Sequence, residues 1–194
     1  YWVAKHNSEI NFPYKRYDIS YSYRGERAQS GRFQGFFQAD IDIIGRDSID
    51  NSAAGETLNV IYAVLKALGF KGVYFCLNEL NLIYNILQQY GIHSEKVRSV
   101  LNIIDNMNNI TEDEFIKGLQ DVTQFSTNKI LELKDVFGFS GVISDFKIIL
   151  DAKGLLNNET SDFISNVFEI YEILVQNGIP SEKILFRPSI VRGL

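Results

Sequence analysis

The sequence predicts an α+β fold, with an antiparallel β-sheet, flanking helices and a small helical module inserted between the sheet elements. Three observations predict it: two early segments alternate polar and apolar residues, later segments repeat apolar residues at helical spacing, and two short apolar runs are typical of strands. With 194 residues, 45% of them hydrophobic and 22% charged, the chain is long enough for one or two domains with a core. Disorder and a collagen-like fibre are excluded.

The first predicted element is an antiparallel hairpin near the N-terminus. Residues 15–23 and 37–43 carry mainly apolar side chains at odd positions and polar ones at even positions, which is the period of a half-buried strand. The two segments therefore share an inner and an outer face. Their connection, about 25–35, is longer than the roughly two to five residues that usually close a hairpin, which indicates a functional loop. The shared polar face is expected to present Arg24, Glu26, Gln38, Asp40 and Asp42.

Two amphipathic helices follow, separated by a short strand at residues 73–76. The first helix is expected to end at Gly69 and the second at Gly91, because glycine is favoured just after a helix C-terminus. Cys76, in the intervening strand, is expected to be a small core residue. The predicted buried faces are Leu58, Ile61, Tyr62, Leu65 and Leu68 in the first helix, and Leu80, Ile83, Ile86, Leu87 and Tyr90 in the second.

The rest of the chain is predicted to be mainly helical. Short helices fill residues 93–155, one of them starting with a capping box at Thr111 and Glu114, and a longer helix and a strand at 184–186 follow. We therefore divide the chain into a partial core at 1–92, an inserted helical module at 93–155 and a return to the core at 156–194. The apolar residues predicted to line the buried face of each helix are Val97, Val100, Leu101, Ile104 and Met107 early in the module, and Phe163, Val167, Ile170 and Leu174 in the last helix.

Charge, cysteine content and hydropathy exclude several classes of protein. The formal net charge of -5 argues against nucleic-acid binding through bulk positive charge, although cations outnumber anions by six to four between residues 14 and 46. One cysteine and two histidines do not supply the ligands of a zinc site, so no metal site is predicted. No apolar run approaches the roughly 18 residues of a membrane helix, which predicts a cytoplasmic protein without a membrane partner.

The polar loop and its flanks carry the chemistry of a nucleotide site. The guanidinium of Arg24 can hold a phosphate with two hydrogen bonds, Phe36 offers a ring face to a base, and Glu26 can accept a hydrogen bond from an exocyclic amine. No P-loop and no GxGxxG motif occurs, so ATP would be bound by side chains. Taken alone, Phe36 is more often a core residue and Asp40 is as often structural as functional. Asp42, within a run of isoleucines, requires a polar partner.

The order of these residues resembles motif 2 of the class II aminoacyl-tRNA synthetases, which is Arg-x-Glu, a loop, Arg-x-x-x-Phe and an acidic residue four positions later. The wider segments at 12–17, 24–33 and 37–45 are similar to the histidyl-tRNA synthetase family. Residues 187–194 resemble the start of that family's histidine-specific motif. The positions that match motif 2 are Arg24, Glu26, Arg32, Phe36 and Asp40.

This resemblance implies a fold and an activity. The fold is the antiparallel catalytic core of a class II synthetase, present in part. The activity is that of a histidine–tRNA ligase, which activates histidine with ATP and Mg²⁺ and transfers it to tRNA(His), with a homodimer as the parent protein. The implied catalytic residues are Arg24, at the α-phosphate of ATP and the histidine carboxylate, and Arg192, at the reacting carboxylate and phosphate.

The resemblance also implies the two binding pockets. For ATP, it implies Glu26 at the adenine amine, Arg32 at the distal phosphates and Phe36 at the adenine face, together with Arg24. For histidine, it implies Gln38 near the α-ammonium and Asp42 near the imidazole N–H.

Two positions depart from the family pattern, and one alternative function stays open. Gln34 stands where the family usually has a second arginine, and Asp42 replaces the glutamate of some branches. Since the 194 residues include no counterpart of motif 1, motif 3 or an anticodon-binding domain, we expect an excised, inactive piece of a catalytic region. The alternative is a non-catalytic paralogue, such as the histidine-binding regulatory subunit of ATP phosphoribosyltransferase. The enzyme is favoured by the presence of Arg24, Glu26, Arg32 and Arg192, because a regulator needs no adenine clamp.

Overall fold

The computed structural model describes residues 1–25 and 27–191. The chain divides into two compact units, Tyr1–Ala63 and Val64–Leu194. The first unit is built on a β-hairpin, and the second is mainly helical. Helices and segregated antiparallel strands are both present, so the predicted α+β class is confirmed. The three-part division at residues 92 and 155 stays a prediction.

The first unit contains the predicted hairpin. Helix α1 spans Trp2–Lys5, strand β1 Tyr14–Tyr23 and strand β2 Gly35–Ile44, and helix α2, Asn51–Ala67, begins in this unit. The strands are antiparallel, with Tyr14 opposite Ile44 at one end and Tyr23 opposite Gly35 at the other. At the start of β2, a Cβ on Gly35 would lie 2.7 Å from the hydroxyl of Tyr21, so a larger residue there would displace that exposed ring.

The apolar face of this hairpin is exposed, which corrects the expectation that it lies inside. Tyr17 is 78% exposed, Tyr23 81% and Phe37 75%. Residue alternation sorts side chains between the two faces of a ribbon, but it does not determine which face another layer covers. In β2, Gln38, Asp40 and Asp42 of the polar face are half-buried, and so are Ile41 and Ile43 at the far end of the apolar face.

The second unit consists of helices and a short parallel strand pair. The predicted strands are present, but β3 pairs in parallel with β4, from Phe75 opposite Ile184 to Leu77 opposite Phe186. The predicted antiparallel sheet is therefore confined to the hairpin, because a chain that returns after a long helical crossover can pair in parallel. The elements are β3 Phe75–Leu77, α3 Leu80–Gln89, α4 Ser94–Asp105, α5 Glu112–Thr123, α6 Thr127–Phe137, α7 Ile143–Ala152, α8 Asn158–Gln176, a 3₁₀ turn Ser181–Lys183, and β4 Ile184–Phe186.

The second unit contains one continuous hydrophobic core. Its centre is Phe146 of α7, fully buried, whose ring centroid lies 5.2 Å from that of Phe139 and 4.8 Å from that of Phe186. The predicted buried face of α4 is confirmed in Val100, Leu101 and Ile104, which are all completely buried. None of the helices in the described part of the chain is long and apolar enough to cross a bilayer.

The predicted helix ends are confirmed. Gly69 and Gly91 both adopt left-handed φ angles, of +87° and +83°, just beyond α2 and α3. Helix α5 begins with the predicted capping box, in which Thr111 and Glu114 exchange side-chain-to-backbone hydrogen bonds.

Two predicted core positions are wrong. Leu68 is 68% exposed, because it lies beyond the last turn of α2. Cys76 is also exposed. Cys76 lies between buried Phe75 and half-buried Leu77. Because alternate residues of a strand point to opposite faces, the face of Phe75 and Leu77 is covered and the side chain of Cys76 points to the uncovered face.

Candidate active site

The polar face of the hairpin assembles the residues predicted to bind ligand. The register places Arg16 opposite Asp42, Asp18 opposite Asp40, Ser20 opposite Gln38 and Ser22 opposite Phe36. Directly opposed residues share a face and have Cβ atoms about 4.5–5.5 Å apart, so these eight side chains form one surface.

At the loop end of this face, Arg24 contacts Phe36. The backbone N–H of Arg24 donates to the carbonyl of Gln34 at 2.8 Å, which extends the ladder one residue beyond β1. The guanidinium carbon of Arg24 lies 5.1 Å from the centroid of the Phe36 ring, within the range of a cation–π contact. Phe36 is half-buried rather than a core residue. The structure thus brings together two residues predicted to bind ATP.

The connecting loop, residues 24–34, ends in a tight turn. Gln29 and Arg32 exchange two backbone hydrogen bonds, of 2.9 and 3.1 Å, and Gly31 between them has a φ of +76°, which favours glycine. Arg32 is exposed at this tip. Two other predicted site residues, Glu26 and Arg192, lie outside the described residues.

In the middle of the face, Gln38 is held by Asp40. The Nε2 amide of Gln38 donates to both carboxylate oxygens of Asp40, at 2.8 and 2.9 Å. With the amide nitrogen engaged, the Oε1 atom of Gln38 is the one left to accept a hydrogen bond from a ligand. Asp40 therefore has a structural contact that fixes a predicted ligand-binding group.

At the far end, Asp42 has the polar partner that its isoleucine surroundings require. The Nε atom of Arg16 donates to Oδ2 of Asp42 at 2.5 Å. The hydrogen bond and charge of Asp42 raise the pKa of the Arg16 guanidinium, with smaller contributions from the charges of Asp18 and Asp40. The sequence interpretation missed Arg16 as a site residue. Its even position in the first predicted strand, which has the parity of Asp42, was the available signal.

The face has opposite electrostatic character at its two ends. Arg24 provides a guanidinium beside the loop, whereas Asp18, Asp40 and Asp42 share the other half with Arg16. Asp18 and Asp40 are directly opposed like charges, and the Ser20 hydroxyl donates to Asp18 at 2.9 Å. Phe36 and Asp42 are six residues apart on one strand, or about 20 Å. This arrangement suits an extended ligand with phosphates at one end and N–H donors at the other.

Comparison with known proteins assigns the chain to a family. The model of the family described as histidyl-tRNA synthetase matches residues 3–194. The chain belongs to the histidyl-tRNA synthetase family. Within the described residues, no group of three or more His, Cys, Asp or Glu side chains is arranged to hold a metal ion.

Relatives within the histidyl-tRNA synthetase family align along the whole chain. It is 31% identical to a histidine–tRNA ligase of Clostridium tetani and 34% identical to one of Treponema denticola, and covers 43% and 42% of those proteins. A crystal structure of histidyl-tRNA synthetase from Nostoc sp. PCC 7120 superimposes with a TM-score of 0.87 at 21% identity, over all of this chain and 44% of that one. The chain spans about two-fifths of the length of these relatives.

Proposed function

We propose that the full-length protein carrying this chain is a histidine–tRNA ligase, and that the hairpin face binds ATP and histidine side by side. Membership of the histidyl-tRNA synthetase family supports the activity. The observation that carries the proposal is that Arg24, Phe36, Gln38 and Asp42 lie on one face of one hairpin, with the residues assigned to ATP at the loop end and those assigned to histidine farther along the strand. The activity belongs to the whole protein, of which these residues form part of the catalytic region.

ATP would occupy the loop end of the face. The Arg24 guanidinium can give two parallel N–H bonds to the α-phosphate, and the Phe36 ring can stack on the adenine. We assign Glu26 to the adenine amine and Arg32, at the loop tip, to the distal phosphates. Mg²⁺ would arrive with ATP as part of the substrate and neutralise phosphate charge.

Histidine would occupy the acidic half. Its α-ammonium only donates hydrogen bonds, and the Oε1 atom of Gln38 is an acceptor whose orientation Asp40 fixes. Asp42 would accept from the imidazole N–H. Shortening the glutamate of some branches to aspartate preserves this acceptor and its charge.

The first reaction needs positioning rather than a protein nucleophile. One carboxylate oxygen of histidine attacks the α-phosphorus, the bond from phosphorus to the β-bridging oxygen breaks, and pyrophosphate leaves with the electron pair. Both reactants are anions, so fixed cations at Arg24 and Arg192 lower the barrier by holding them together and stabilising the developing charge. In the second reaction, a ribose hydroxyl of tRNA(His) attacks the carbonyl, loses its proton, and AMP leaves. On this proposal the protein acts as a homodimer in the cytoplasm.

Histidine-dependent exchange of pyrophosphate into ATP tests the proposal in the full-length protein. Arg24→Ala is expected to abolish exchange, because loss of one preorganised group at developing charge costs about 10²–10³-fold. The control is Arg98→Ala, which removes an exposed arginine of α4. Exchange by Arg24→Ala at near the wild-type rate would contradict the role of Arg24. Histidine binding without exchange by the wild type would favour the regulatory paralogue.

A further inference from the structure

Arg16 is directly opposite Asp42 in the hairpin and forms an ion pair with it. Its Nε atom donates to Oδ2 of Asp42 at 2.5 Å, and the two side chains are 44% and 45% exposed. A guanidinium on one carboxylate oxygen leaves the other oxygen, Oδ1, to accept from a ligand. The contact therefore determines which atom of Asp42 faces the site.

Arg16 also offsets the negative charge around Asp42. The charged groups that face Asp42 from the two strands are Arg16, Asp18 and Asp40. Asp18 accepts a hydrogen bond from the Ser20 hydroxyl and Asp40 accepts two from Gln38, but serine and glutamine bring no charge. The hydrogen bond with Asp42 and then the charges of Asp42, Asp18 and Asp40 raise the pKa of the Arg16 guanidinium.

We propose that Arg16 is a positioning residue for the amino acid: it holds Oδ2 of Asp42, directs Oδ1 at the imidazole N–H, and offsets the charge of Asp42 so that neutral imidazole is bound. The proposal rests on the function proposed above, in which Asp42 binds the histidine side chain. It adds a residue and a protonation state of the substrate to that site.

Loss of Arg16 would change both the geometry and the charge of the pocket. Asp42 would lose the group that fixes its rotamer, and three carboxylates would face the imidazole without an adjacent guanidinium. Such a surface favours the imidazolium form. Because an unperturbed histidine side chain has a pKa of about 6.5, the two forms are distinguished by the pH dependence of the KM for histidine.

The test is steady-state pyrophosphate exchange by the full-length protein and its Arg16→Gln variant, at about pH 8 and about pH 6. At the higher pH, Arg16→Gln is expected to raise the KM for histidine about tenfold while the KM for ATP stays within twofold. The wild-type KM for histidine is expected to rise about fourfold at the lower pH, as neutral imidazole becomes scarce. The KM of the variant is expected to stay level or fall. Arg16→Lys, which keeps the charge, should restore the wild-type pH dependence.

A matched control separates positioning from general weakening of the hairpin. Lys15 is the neighbouring residue on the opposite face, and its Nζ atom pairs with Glu56 at 2.7 Å, with side chains 52% and 47% exposed. Lys15→Gln removes a comparable ion pair, so its KM for histidine should remain within twofold of wild type. An equal rise in both variants would overturn the proposal.

Two further results would be decisive. A normal histidine KM and pH profile in Arg16→Gln, with exchange present in the wild type, overturns this inference and leaves the proposed function standing. Absence of histidine-dependent exchange in the wild type overturns the proposed function and the inference with it. Circular dichroism confirms that each variant is folded. If Arg16→Gln is not, Arg16→Lys supplies the test, because it keeps the charge but loses the Nε donor that fixes Oδ2 of Asp42, and should still raise the KM for histidine at about pH 8. A wild-type KM in a folded Arg16→Lys variant would then overturn the positioning role.

Discussion

The two units of the chain differ in what their residues are used for. In the described part of the first unit, Gly55 is the only buried residue, yet this unit presents Arg24, Phe36, Gln38 and Asp42 on one face. The second unit contains every buried hydrophobic residue of the described chain, with side chains such as Leu82 and Phe146 fully excluded from solvent. The residues predicted to bind ligand and the residues of the packed core therefore lie in different stretches of sequence.

The division has a physical reason. A ligand-binding face requires polar groups that are accessible, and the hairpin has three carboxylates, two of them directly opposed. Like charges opposite each other destabilise strand pairing, which a face used for binding tolerates. In the second unit, a polar atom must find a partner when it is buried, as Thr160 does with Leu155 and Asn157.

Truncating a core side chain should destabilise the protein far more than truncating an exposed side chain of the hairpin. Phe146→Ala should lower the free energy of unfolding of the second unit by about 3–5 kcal/mol, because it empties the centre of a closed core. Phe37→Ala, at a residue 75% exposed, should change stability by less than about 1 kcal/mol. Urea unfolding followed by circular dichroism measures both. Similar losses in the two variants would show that the hairpin is not the less packed unit.

Substitutions on the two faces of the hairpin should differ in their effect on the KM for ATP. Phe36→Ala in the full-length protein should raise the KM for ATP about tenfold, since stacking of a base on an aromatic ring contributes about 1–3 kcal/mol. Phe37→Leu, the adjacent ring on the other face, is the control and should leave the KM for ATP unchanged. Pyrophosphate exchange at varied ATP gives both values. A response to Phe37→Leu as large as that to Phe36→Ala would contradict the assignment of faces.

Removing a helix cap should have a moderate effect confined to the second unit. Asn157 accepts from the backbone N–H of Thr160 at 2.8 Å at the start of α8, so Asn157→Ala should cost about 0.5–2 kcal/mol. Asn158→Ala, one residue later, removes no cap and should change stability by less. Urea unfolding distinguishes them, and equal losses would contradict the capping role.

The smallest expected effect concerns pH. Hydrogen bonds from the Thr111 backbone and, to a smaller extent, from its side chain lower the pKa of Glu114 below its usual value of 4.5. A carboxylate with a depressed pKa in the folded state stabilises the fold above its unfolded pKa, and this contribution is lost as pH falls through the folded value. Below about pH 4.5, the free energy of unfolding of Glu114→Gln should therefore fall less steeply with decreasing pH than that of the wild type. Identical acid transitions in both proteins would contradict this linkage.

The sequence predicted local structure better than contacts between layers. The hairpin, the stops at Gly69 and Gly91 and the capping box at Thr111 depend on neighbouring residues, and all are confirmed. The exposure of Tyr17 and Cys76 depends on what packs against each strand, which residue alternation does not contain.

The candidate site divides in the same way. Parity alone predicted that Arg24, Gln38 and Asp42 share a face, and the register agrees. The roles of these residues stay predictions. Arg16 was not predicted as a site residue because the residue opposite Asp42 depends on the strand register. The register is known only once the two strands are aligned residue by residue.

The exposure of Cys76 provides a spectroscopic probe. It is the single cysteine, in the second unit, and Trp2, whose ring stacks 4.6 Å from that of His6, is the single tryptophan, in the first. A thiol-reactive dye on Cys76 and the intrinsic fluorescence of Trp2 would therefore each report on one unit alone, without any engineered substitution. If the proposed site lies on the hairpin, nucleotide should change the indole fluorescence of the first unit more than the signal of a dye on Cys76.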